Sequence, residues 1–74
     1  MNADVTRAIA NNLFETAASI VMIRAFNSPH RAAIQEWLLD SRHEWIALIN
    51  EGAPEHQNAH KLADVMVETI SGVE

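Results

Sequence analysis

Apolar positions recur on two sides of the stretch from Asp4 to Phe26. Wound at about 100° per residue, Val5, Ile9, Leu13, Thr16, Ile20 and Ile23 fall on one face of a helix, and Ala10, Phe14, Ala17, Ala18, Val21 and Ala25 on the other. A helix that is apolar on both sides needs two packing partners. From Leu13 to Phe26 the only charged residues are Glu15 and Arg24, so this helix belongs at the centre of whatever assembly forms.

The pattern then breaks and resumes twice. Ser28 precedes Pro29, and the residue before a proline is pushed out of the helical region. Ser28 is therefore the expected cap of a second helix with Pro29 at its first position, where a missing N–H costs nothing. This helix carries an apolar stripe of Ile34, Trp37, Leu38, Trp45, Leu48 and Ile49, with Ser41 in its middle, and a narrower stripe of Leu39 and Ile46 beside His43. Gly52 supplies the left-handed conformation that closes many helices. Ala53 and Pro54 start a third helix, whose single apolar face holds Ala59, Leu62, Ala63, Met66 and Ile70, with Gln57, Lys61, Asp64 and Glu68 opposite. Gly72 is its expected end, and Asn2 or Asp4 the N-cap of the first helix.

The predicted fold is all-α: one domain over residues 1–74, with helices at about 4–26, 29–50 and 54–71. Turns of two to four residues leave consecutive helices antiparallel, giving an up-down-up unit of a long, a second and a shorter helix. The second and third helices are expected on the Val5 side of the first. Its other side, Ala10, Phe14, Ala17, Ala18, Val21 and Ala25, then becomes a self-association face that pairs two copies into a homodimeric bundle, since a twofold interface is self-complementary.

Composition favours the same association. A chain of 74 residues is short of core, and without cysteine it has no disulfide or thiolate zinc site to compensate. Twelve alanines against two glycines and two prolines point to helix. The net charge of −5, with Arg7, Arg24, Arg31, Arg42 and Lys61 scattered, argues against direct nucleic-acid binding, which draws on clustered Lys and Arg. The longest apolar-leaning run, Thr16 to Ile23, is far short of the ~20 residues that span a bilayer. It lacks a signal-peptide pattern, so no membrane is expected and the expected location is cytoplasmic.

Three groups of residues could carry chemistry. His56 and His60 are four apart, the spacing with which two imidazoles on one helix face hold a metal, with Glu51, Glu55 or His43 as a third ligand. The glutamate a zinc hydrolase needs between them is replaced by Gln57, Asn58 and Ala59. Glu36, Asp40 and Glu44 form an i, i+4, i+8 row that could attract a basic partner or imitate nucleic-acid phosphates. Trp37, at the edge of its stripe, is better placed for a partner than Trp45. No nucleophile elbow, phosphate loop or cysteine supports an enzyme, and no cofactor is implied.

The expectation is a non-enzymatic interaction module that binds and modulates or inhibits a protein partner through Glu36, Trp37, Leu39, Asp40, Glu44 and Ile46. The alternatives are a metal-binding protein using His56 and His60, a binder of a small anion held by Arg7, Arg24 or Arg31, and a structural subunit of a larger assembly.

Overall fold

The computed structural model describes residues 3–73. Among them there are four α-helices and no strand: α1 (Ala3–Arg24), α2 (Arg31–Asp40), α3 (Arg42–Asn50) and α4 (Ala59–Val73), with a 3-10 turn at Pro54–His56. Asn2 lies outside the described residues, and Asp4 falls inside α1. The helices form a rod of 43 × 18 × 17 Å.

The up-down-up path follows from where each helix stops. α1 contains neither glycine nor proline across its 22 residues and gives way at Ala25, whose N–H still reaches the Val21 carbonyl. Ser28 Oγ accepts the His30 N–H at 3.1 Å and the Ser28 carbonyl accepts that of Arg31 at 3.3 Å. These bonds make residues 28–30 a turn, and α2 begins at Arg31, two residues later than the proline alone suggests. At the far end of α3, Gly52 adopts φ +87° and donates to the Ile49 carbonyl at 3.1 Å. The same carbonyl accepts the Gln57 side-chain amide at 2.6 Å, so this helix terminus is closed from both sides.

Two elements differ from the sequence pattern. The expected middle helix is interrupted at Ser41, where φ −95° and ψ 5° leave the helical region. Ser41 Oγ donates to the Trp37 carbonyl four residues back at 2.6 Å, a bond of the kind that bends helices. The path is not lost, because Ser41 N–H reaches Trp37 O and Trp45 N–H reaches Ser41 O. The third helix starts at Ala59 and not at Pro54, because Asn58 Oδ1 accepts the N–H groups of His60 and Lys61 at 3.0 and 3.2 Å, the geometry of an N-cap. Gly72 does not end α4, which runs on to Val73.

The core corrects the expected self-association face. Ala10, Phe14, Ala17, Val21 and Ala25 are buried within a single chain, and Ala18 is half-buried. Ala10, Phe14, Ala17 and Val21 cluster with Leu38, Trp45, Ile49, Leu62, Ala63 and Met66, and Ala18 packs against them. The small side chains let α3 and α4 approach α1 closely, and the larger residues across from them fill the volume. The face of Val5, Ile9 and Ile23 is left outside, with these side chains 49%, 60% and 73% exposed. α1 remains the central element, packed most extensively against α4 and then α3. An ion pair from Arg24 to Asp64 at 2.7 Å ties α1 to α4, and Arg42 reaches Asn11 at 3.2 Å and Glu15 at 3.5 Å to tie α3 to α1.

Candidate interaction surfaces

The outer crest of α2 and α3 is acidic. Glu36, Asp40 and Glu44 are all exposed and recur at helical spacing away from Leu38, Trp45 and Ile49, which enter the core. Among the described residues none of the three forms an ion pair. Three of the arginines have partners elsewhere: Arg42 reaches Asn11 and Glu15, Arg24 pairs with Asp64, and Arg31 lies over the Phe26 ring at 4.9 Å. Neither of the two ion pairs among the described residues reaches the crest.

The other residues expected to accompany that row are divided between two flanks. Leu39 is 63% exposed and lines a shallow groove with Ala18, Ser19 and Met22 of α1. Ile46, half-buried, borders a more polar hollow with Thr6, Arg7 and Asn11. Trp37 lies about 160° around the helix from Leu39, half-buried, with its ring edge-on to Trp45 at 5.8 Å and 73°. One partner groove can hold the crest with Leu39, or the crest with Trp37, but a flat partner cannot meet all six residues.

The histidine pair does not share a helix face. His56 is in the 3-10 turn and His60 in the first turn of α4, with Asn58 breaking the path between them. Among the described residues no group of three His, Asp or Glu side chains converges as a metal site. His56 Nδ1 is buried without a hydrogen-bond partner. Nor do the arginines converge: Arg7 lines the hollow by Ile46, Arg24 pairs with Asp64, and Arg31 stacks on Phe26.

No protein-family model matches the chain, and no curated protein or solved structure matches it. The surfaces must be read from their own chemistry.

A second surface, which the apolar pattern places in the interior, is on the outside. Val5, Ile9 and Ile23 stand out from α1, with Thr16 exposed between them and Leu13 and Ile20 half-buried at the margin. No residue of this stripe is charged. A groove runs along its N-terminal half, between Val5, Ile9 and Leu13 on α1 and, across from them, Gln57 in the turn before α4 and Ala59 at its start. The signal was present in the seven-residue spacing of Ile9, Thr16 and Ile23, a seam of the kind used between helices. Among the described residues no helix is long and apolar enough to cross a membrane.

Proposed function

We propose that the protein is a non-enzymatic helical interaction module that binds a basic surface of a protein partner and modulates or blocks it. The observation behind this reading is the uncompensated acidic crest of Glu36, Asp40 and Glu44, carried on helices tied to α1 by the Arg42 contacts. Three carboxylates in a row on a helix attract cationic surfaces over the distance of a Debye length, ~8 Å at physiological salt, and orient the encounter. Leu39, exposed beside the row, gives the docked partner an apolar contact that water does not compete for. Inhibition on this reading is steric: a rod of 43 × 18 × 17 Å lies over a groove that would otherwise hold an anionic polymer.

The test is a binding measurement against the captured partner at two salt concentrations. Replacing Glu36, Asp40 and Glu44 together by Gln should weaken binding at least tenfold and flatten its salt dependence while helicity is kept. Retained affinity in that variant would remove the crest from the function.

A further inference from the structure

The uncharged outer face of α1 has an internal symmetry that selects its occupant. We propose that this face binds a second copy of the chain, with the two α1 helices antiparallel about a twofold axis that passes beside residues 14 and 15.

In such a pair residue i meets residue 28 − i or 29 − i of the partner, because successive levels along the two helices run in opposite directions. Val5 then meets the partner's Ile23, Ile9 meets the partner's Ile20, and Leu13 meets the partner's Thr16. Every outward apolar position finds an apolar or methyl-bearing one. A parallel pair would instead stack the stripe's polar midpoint on itself and leave the two halves without complementary shapes.

Shape makes the same selection. The most exposed side chain of the stripe, Ile23 at 73%, is a knob on the C-terminal half of α1. The hollow lined by Val5, Ile9 and Ala59 is on the N-terminal half. Only the antiparallel second copy brings each knob to the other's hollow, and it does so twice. A foreign helix would need no such correspondence between the two halves.

Charge permits the contact despite the net −5. On α1, Asn11 and Ala18 face α2 and α3 and lie about 160° around the helix from Ile9 and Thr16. The acidic crest is on the outer side of α2 and α3, so the crests of the two copies point away from each other. The matched stripe is about 27 Å long. With the rim of α4 it would bury on the order of 1,000 Å² in total, the lower bound for a specific interface. The resulting dimer dissociates on dilution through the micromolar range. This surface is separate from the acidic crest, and each stands or falls without the other.

The test is solution mass of the full chain by sedimentation across a dilution series from millimolar to sub-micromolar. The expected result is a monomer–dimer equilibrium whose dissociation constant rises at least tenfold in Ile9→Glu and in Ile23→Glu, and is unchanged in Ala33→Glu on α2. All three positions are exposed, so circular dichroism should show the helicity retained. Orientation is read by cross-linking, since the chain has no cysteine of its own. Val5→Cys mixed with Ile23→Cys should give the mixed disulfide, and Val5→Cys alone should not, because its two thiols would lie about 27 Å apart. A monomer at millimolar concentration overturns the proposal. So does a dimer indifferent to both Glu variants, or efficient self-cross-linking of the Val5→Cys chain.

Discussion

The indole N–H of Trp45 donates to Ser41 Oγ at 3.1 Å, and the same hydroxyl donates to the Trp37 carbonyl at 2.6 Å. One buried serine thus satisfies the polar atom of a buried tryptophan and bends the helix that carries both. The contact joins α2 to α3 at the point where the Trp37 and Trp45 rings meet edge to face. Ser41→Ala should straighten the helix and leave the indole N–H without its acceptor. A buried donor left unpaired costs about 1–3 kcal/mol, and each kcal/mol lowers Tm by about 4–8 °C in a domain of this size. Thermal unfolding followed by tryptophan emission checks both, and an unchanged midpoint would mean that the straightened helix offsets the lost bond.

The two faces of α1 predict opposite mutational responses. Phe14 is 3% exposed and lies in the core cluster, with Arg42 over its ring at 5.3 Å. Phe14→Ala should cost about 3–5 kcal/mol, a large part of the total for a small domain. Ile23→Ala, on the outer face, should stay within about 0.5 kcal/mol at concentrations where the chain is monomeric. Chemical denaturation of the two variants measures the contrast directly, and a reversed order would place the core on the other side of the helix.

These contrasts mark what the sequence could convey. Pro29, Gly52 and Pro54 act through local backbone geometry, and they were enough to give three antiparallel segments. The choice between the faces of α1 was not legible, because periodicity counts apolar positions without weighing how closely helices can approach. Ala10 and Ala17 look like a poor core until Trp45, Leu62 and Met66 join them in one cluster. The bulkier Val5, Ile9 and Ile23 look like a better core and are outside. Ser41 and Asn58 were missed for a related reason: each acts through a hydrogen bond between a side chain and the backbone, which a pattern of polarity does not display. The acidic row was legible because exposure is the default for charge, but the division of Leu39 and Trp37 between two flanks required the packing of α1.

Asn58 sets where α4 begins. Asn58→Ala removes the acceptor of the His60 and Lys61 N–H groups, and N-cap losses of this kind cost about 0.5–2 kcal/mol. The effect should be local before it is global, so hydrogen exchange at the amides of residues 60 and 61 should accelerate more than exchange at Met66 in the core. Equal acceleration at all three would mean that the cap governs the whole fold and not the helix end.

Gly52 separates steric room from backbone conformation. A Cβ added there would meet nothing within 4 Å, yet the residue sits at φ +87°, a region that side-chain-bearing residues resist. Gly52→Ala should therefore lower stability by about 1 kcal/mol, and Gly52→Asn by less, because Asn tolerates the left-handed region better. Equal losses in the two variants would assign the cost to something other than the backbone angle.

The acidic crest makes a prediction that needs no partner. Glu36 with Asp40 and Asp40 with Glu44 are two like-charge i, i+4 pairs, each destabilising by a few tenths of a kcal/mol. Replacing all three residues by Gln should raise stability by roughly 0.5–1 kcal/mol at low salt. That gain should fade in 1 M salt, where the Debye length falls to about 3 Å. A row that costs stability in the free chain while lacking any ion pair is better suited to an external cation than to the fold itself. If the Gln variant is instead less stable at low salt, the carboxylates serve the fold and the crest loses its claim to be a binding surface.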